Sequence, residues 1–408
     1  MSSPGHASGR PTPGGSAWKA VVLACACGAL APWARAEEPP ALPREGQFAW
    51  SSASPESQGL SSERLARFRD ELAAAHTQAL LVIRNDRIVL EWYAAGFGPD
   101  SMLATASTAK AIVGGVSAAL EIGDGLIALD DPAAKFVPAW RQDRAKAKIT
   151  VGQLGSHTSG LDDAEQDELG VGGAAPARVP HEKLSGWKGD FWKRLQVPDD
   201  PFTIARDRTP LIFAPGERFS YSNPGMAMLS YVLTAALARG QERDLRSLLR
   251  DRVMRPIGIQ DGEWDIGYKQ TFLVDGLPIV PVWGGGSFSA RSFARIARLM
   301  LRRGSWDGQQ LLDAHAVAAV TLGANAAGPS QVATGWWNNA RGTISNLPRN
   351  VYFASGAGNR LVVVIPGIDA IVVRNGDLLS PIDDYFVAQD KLFFQPMIRA
   401  LQIVPSGP

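Results

Sequence analysis

Cysteine is almost missing from this 408-residue chain: Cys25 and Cys27 are the whole supply, and both lie near the start. If the segment that carries them is removed, disulfides, a thiol nucleophile and zinc–thiolate sites are excluded from what remains. Histidine is scarce as well. His6, His76, His157, His181 and His315 are the full set, and none stands at H-E-x-x-H or another close ligand spacing. No metal and no cofactor are expected. Charge of one sign is lacking too, since 41 basic and 40 acidic side chains leave a formal net charge of +1. No Lys/Arg stripe alternates with aromatics, so a nucleic-acid partner is not expected. With 45% hydrophobic and 20% charged residues, the chain can bury one large core or two moderate ones.

The first 36 residues have a character of their own. No acid precedes Glu37, basic residues stand at Arg10 and Lys19, and the apolar run "AVVLACACGAL" leads to the small-residue site "ARA" ending at Ala36. This is the layout of a secretory signal peptide, and the apolar run is too short to span a bilayer. The expectation is cleavage near Ala36, a mature chain without cysteine, no stable membrane insertion, and a periplasmic or secreted location. Residues 37–60 read as a linker, and residues 61–408 as the folded domain.

Within that domain "SSERLARFRDELAAAH" places Leu65, Phe68 and Leu72 on one helical face, with serine available as a cap. "ALLVIRNDRIVLEWYA" reads as two strands about Asn85-Asp86, and "NRLVVVIPGIDAIVVRNGD" as a second hairpin turning at Pro366-Gly367. "IDDYFVAQDKLFFQPMIRALQ" closes the chain as an amphipathic helix. Strands at both ends with helices between predict an α+β fold: an antiparallel sheet assembled from both termini, flanked by helices, with a helical insertion over roughly 120–275. Asp162 to Pro210 is poorly periodic yet holds Trp187, Phe191 and Trp192; a loop of that length is a surface insertion or a lid over a site.

Two short patterns carry chemistry. "STAK" sets Ser107 three residues before Lys110 in an apolar helix start, so that hydroxyl and amine are neighbours on one face. Serine is a weak nucleophile until a base takes its proton. Lysine serves as that base only if burial or a nearby cation lowers its pKa from about 10.4 towards about 7 to 8. Taken alone, the pair is also what an ordinary helix start with a snorkelling lysine looks like. "YSN" adds a phenol, Tyr221, and a carboxamide, Asn223, just before a helix; the phenol can relay a proton and the amide can position a substrate or the lysine. The plainer reading is a structural tyrosine in a turn with Asn223 as helix cap.

"STAK", "YSN", "ITVGQLGSHTSGL" and "WGGGSFSARSFARIARLMLRRGSWDGQQLL", in that order between about Ser61 and Arg374, resemble the serine beta-lactamase and penicillin-binding-protein-like superfamily, on the side of class C beta-lactamases, related esterases and D-amino-acid peptidases. The resemblance implies Ser107 as the acylated nucleophile, Lys110 as its base partner, and Tyr221 with Asn223 as the second motif. His157 becomes a buried loop-ordering residue. The family's third motif, a Lys or His followed by a small residue and Gly, falls on Ala354, Ser355 and Gly356, so the cation is missing unless Arg341, Arg349 or Arg360 folds back. The N–H groups of Ala357 and Ser107 then form the oxyanion hole, Ser355 and Gly356 border the substrate, and Trp336 or Trp337 of "GWWNN" supplies an apolar wall, with at least one of the two expected to pack in the core. The activity implied is a serine hydrolase acting on a small ester or amide. The rivals are a beta-lactamase or D-amino-acid peptidase and a catalytically silent binder of cell-wall fragments.

Overall fold

The computed structural model describes residues 48–165, 180–193, 198–238, 242–323, 328 and 330–403. The expected signal segment, residues 37–47 of the expected linker and the middle of the Asp162–Pro210 stretch lie outside the described residues; residues 48–60, expected as linker, instead belong to the fold, since Ser51–Ser52 pairs with Arg87–Ile88 and Leu60 is buried. Seven strands form the main sheet: β1 (Ser51–Ser52), β2 (Thr77–Arg84), β3 (Arg87–Tyr93), β4 (Trp337–Asn338), β5 (Tyr352–Gly356), β6 (Arg360–Ile365) and β7 (Ala370–Gly376). Their spatial order is β1-β3-β2-β7-β6-β5-β4, antiparallel throughout except for β1 on β3.

Both hairpins read from the sequence are present. Asn85 and Asp86 take φ of 50° and 57°, the paired left-handed conformation whose twist suits a two-residue hairpin. The two hairpins join in the middle, where β7 runs beside β2 from Ala370↔Arg84 to Gly376↔Thr77. Sequence-distant ends thus build one sheet.

The sheet is buried on both faces, and strand alternation sorts its side chains between two cores. Leu80, Val82, Leu361, Val363 and Val372 face one side, where they meet α1 (Ser62–Ala74) and the C-terminal helical stretch. Ser61 caps α1 by accepting from the Arg64 N–H at 3.3 Å. Leu65, Phe68 and Leu72 are buried beneath it, each contributing about 1.5–3 kcal/mol by leaving water. Leu81, Ile83, Val362, Val364, Ile371 and Val373 face the larger core, which the inserted region completes.

That region is led by α2 (Val116–Gly123) and α3 (Asn223–Leu237), with α4 (Ala290–Leu301) returning against β6 and β7. It closes with short strand pairs: Trp264–Asp265 and Leu103–Ala104 flank Ser287–Phe288, and Phe272–Val274 pairs with Leu277–Ile279. The Asp162–Pro210 excursion is tied at its base. Asp162 N–H donates to the Pro210 carbonyl at 3.0 Å and Ile212 N–H to Gly160 at 2.9 Å. Its Phe191 is fully buried against Trp283, ring centroids 5.0 Å apart, so this part of the excursion is anchored in the core. No helix among the described residues is long and apolar enough to cross a membrane.

Candidate active site

The turn that carries Ser107 is strained and held by pairing. Ala106 has φ 44°, a left-handed conformation that a β-carbon disfavours and that persists only where the surroundings impose it. Thr105 is pinned to Gly286 by one backbone and one side-chain hydrogen bond: its N–H donates to the Gly286 carbonyl at 2.8 Å, and its Oγ1 accepts from the Gly286 N–H at 2.9 Å. A single turn over Ala106–Thr108 follows, and Lys110–Gly115 then winds as a π-helix before α2 begins. Such widened turns recur at functional sites. Gly335 and Gly356 close the turn from outside. A β-carbon on Gly356 would come within 2.9 Å of the Ser107 nitrogen, and one on Gly335 within 2.2 Å of the Lys110 carbonyl, so only glycine allows these segments to pass.

Ser107 Oγ lies between two groups. Lys110 Nζ is 3.0 Å away and Tyr221 Oη 2.8 Å. The amine also donates to Asn223 Oδ1 at 2.8 Å and to the Trp283 carbonyl at 2.7 Å. Lys110 is only 2% exposed, and burial pulls its pKa down to about 7, with the Asp163 and Glu165 carboxylates opposing the fall. Lysine can therefore be a neutral amine near neutral pH. Burial pushes Tyr221 the other way, well above the ordinary phenol value, and Glu165 adds to the rise; the phenol keeps its proton.

Ser222, not Asn223, caps α3, since its Oγ accepts from the Gly225 N–H at 2.9 Å. That frees the Asn223 amide to bridge Lys110 and Asp163, whose Oδ1 accepts from Asn223 Nδ2 at 3.1 Å and from its backbone N–H at 2.8 Å. Burial first, and then Glu165, push Asp163 above the usual carboxylate range. His157 is buried beside this network with φ 59°. Its Nδ1 accepts from the Ser222 N–H at 3.1 Å, its carbonyl takes the Ser220 N–H at 2.9 Å, and its ring lies 4.5 Å from that of Tyr221. Burial holds its pKa at about 3. These are the contacts of a loop-ordering residue.

The cavity over Ser107 measures about 100 Å³ and is walled by Tyr221, Phe219, Trp337, Phe386, Tyr385 and Glu165, with Ser355, Gly356 and Ala357 along one edge. Ser355 lines it, but its hydroxyl is held by Tyr385 Oη at 2.9 Å and Gln389 Nε2 at 3.0 Å. Tyr385 in turn donates to the Gly356 carbonyl at 2.8 Å. The expected role of Trp336 is corrected: it is fully buried in the large core, its ring 5.6 Å from Tyr352, while the neighbouring Trp337 faces the cavity. Adjacent strand residues point to opposite faces, and only one of two tryptophans can reach the site. Ala354 likewise faces the large core. No lysine or arginine lines the cavity among the described residues. Arg341, Arg349 and Arg360 each donate to a backbone carbonyl instead, of Gly328, Ala340 and Ala357.

Asp163, Glu165, Phe219 and Tyr385 were not among the residues expected from the sequence. Asp163 and Glu165 sit just past "HTSGL", so the tied base of the excursion was the available signal; for Tyr385 the sequence offers none. Among the described residues no group of three or more His, Cys, Asp or Glu is placed to hold a metal.

The arrangement has known counterparts. The chain is 24% identical over 325 residues to the 6-aminohexanoate-dimer hydrolase of Paenarthrobacter ureafaciens, covering 76% of this chain and 75% of that one. Its fold is shared with a Bacillus anthracis protein provisionally described as a 6-aminohexanoate-dimer hydrolase, at TM-score 0.63 and 16% identity over 88% of this chain and 89% of that one. A family VIII carboxylesterase matches at TM-score 0.55 and 16% identity, over 83% and 99%. With residues 65–384 matching the Beta-lactamase family model and a serine, lysine and tyrosine meeting at one oxygen, the chain belongs to the beta-lactamase family of serine hydrolases.

Proposed function

We propose that the protein is an exported hydrolase of small neutral esters or amides that works through an acyl-enzyme on Ser107. The observation that carries this reading is Ser107 Oγ held at 3.0 Å from Lys110 Nζ and 2.8 Å from Tyr221 Oη. Neutral Lys110 takes the Ser107 proton as Oγ bonds to the substrate carbonyl carbon, and the N–H groups of Ser107 and Ala357 hold the resulting oxyanion. Tyr221 passes a proton to the departing alcohol or amine as its bond to that carbon breaks, and is reprotonated from Lys110. Water then attacks the acyl-enzyme by the same route, releasing the acid and restoring Ser107. The apolar rings of the cavity support a neutral substrate, while the Glu165 carboxylate in its wall and the lack of a lining cation disfavour an anionic one. A relative named for hydrolysing the dimer of 6-aminohexanoate, an amide with charged ends, supports an amide bond as the one cleaved and not the neutrality of the substrate.

A charge-assisted hydrogen bond to a substrate carboxylate is worth about 1.5–3 kcal/mol, or roughly ten- to a hundredfold in relative kcat/KM. Its absence disfavours beta-lactams and cell-wall peptides. The test is mass spectrometry after a fluorophosphonate probe, followed by comparison of p-nitrophenyl butyrate with a chromogenic cephalosporin. A label on Ser107 and a preference for the ester are expected. An unlabelled Ser107 returns the silent-binder reading, and equal turnover returns the beta-lactamase reading. The layout of residues 1–36 supports export; N-terminal sequencing of the secreted form should begin near Glu37.

A further inference from the structure

The catalytic cavity, at about 100 Å³, is small beside the roughly 300–1,000 Å³ of pockets that bury most of a drug-sized ligand. A second hollow of about 510 Å³ adjoins it, and its walls include Phe219, Trp337 and Phe386, the same three rings that wall the catalytic cavity. Those rings touch in series, with centroids 5.9 Å apart for Phe219 and Trp337 and 5.3 Å for Trp337 and Phe386. They form a sill with the nucleophile on one side and the hollow on the other. Beyond the sill Ile344, Phe353 and Val387 give an apolar lining, and the charged pair Asp390 and Lys391 cancels. Phe386 and Val387, both in its wall, are 46% and 41% exposed.

We infer that the hollow is the groove for a long, neutral, apolar chain carried by the substrate, running from the scissile ester or amide at Ser107 across the Phe219–Trp337–Phe386 sill. The inference rests on the reading of Ser107 as the acylated nucleophile. The occupant follows from continuity: whatever lies in the hollow shares its wall with the reacting carbonyl. It agrees also with the lining, in which apolar side chains predominate and one acid and one base leave no net charge. The chain belongs to the acyl part or to the alcohol or amine part, and the two are separable by experiment.

One arm compares p-nitrophenyl acetate, butyrate, hexanoate and octanoate; the other compares ethyl, butyl, hexyl and octyl acetate. In one of the two series kcat/KM is expected to rise by about tenfold or more from the four-carbon to the eight-carbon chain, because each buried methylene is worth up to about three- to fourfold. Val387→Glu and Thr343→Glu, both at exposed groove positions outside the catalytic cavity, should flatten that rise and leave p-nitrophenyl acetate turnover and Tm unchanged. Flat series in both arms from an enzyme that is labelled at Ser107 and cleaves the acetate would overturn the groove alone. So would a rise that Val387→Glu and Thr343→Glu leave intact. No acetate turnover together with an unlabelled Ser107 takes down the catalytic reading and the groove with it.

Discussion

Lys110 and Glu121 are buried along the same helical stretch, 2% and 0% exposed. Lys110 places its amine on three acceptors, the Ser107 hydroxyl, the Asn223 amide and the Trp283 carbonyl. Neither carboxyl oxygen of Glu121 has a hydrogen-bond partner among the described residues, and the Ser117 hydroxyl one turn earlier has none either. Burial drives both groups towards their neutral forms, lowering Lys110 and raising Glu121, with Asp124 adding to the latter. Around Lys110, however, acceptors and the Asp163 and Glu165 carboxylates give the charged form a place, so both protonation states are accessible near neutral pH. Around Glu121 nothing does. One end of the helix holds a buried amine with three acceptors, the base of the proposed mechanism, and the other holds an uncompensated polar group of the sort that costs about 1–3 kcal/mol.

The widest separation between the two is in activity. Ser107→Ala and Lys110→Met should each lower kcat for ester hydrolysis by about ten-thousandfold or more, and the double variant should be no worse, because nucleophile and base act as one unit. Glu121→Met should leave kcat unchanged. Near-normal turnover by purified Ser107→Ala would break the comparison at its functional end. Tyr221→Phe comes next, with an expected loss of about a hundred- to ten-thousandfold in kcat, the usual range for a positioned proton donor; steady-state kinetics on p-nitrophenyl butyrate measures it.

Stability separates the pair in the opposite sense. Glu121→Met fills a similar volume without the orphan oxygens and should stabilise the fold by about 1–3 kcal/mol near neutral pH, read by urea denaturation. Because the folded pKa of Glu121 is raised, its stabilising contribution is fully present below the unfolded value near 4.5 and is lost as pH rises through the higher folded value. The advantage of the variant should therefore be smallest and constant below about 4.5 and grow as pH rises from there through the higher folded value. An advantage independent of pH would mean that Glu121 does not titrate against the fold.

The smallest effect sharpens the account of Lys110. Activity that needs the neutral amine should climb as pH rises through about 7. Asp163 supports the charged amine, so Asp163→Asn should move that acidic limb to lower pH, and a limb that stays in place would detach Asp163 from the base.

Much of the site was legible in advance. Ser107 and Lys110 meet because residues three apart face each other across one turn, and Tyr221 announced itself by its place before a helix. Asn223 was legible as a candidate, but its task depended on Ser222 taking the cap. Trp336 and Trp337 show the limit of the sequence: composition says that a wall is available, and only the register of β4 on β5 says which ring forms it.

What the sequence determined by itself is local and periodic. The Asn85-Asp86 turn, the α1 face of Leu65, Phe68 and Leu72, and the Ser107–Lys110 spacing all follow from backbone geometry over a few residues. The tertiary structure decided everything that needs two distant segments at one point. It brought Asp163 to Asn223, set Tyr385 of the C-terminal helical stretch over Gly356, and passed Gly356 against the Ser107 nitrogen. The Lys110 pKa belongs to this second class, because the desolvation that lowers it and the carboxylates that oppose the fall come from chain segments far from Lys110 that close over it only when the two cores are packed.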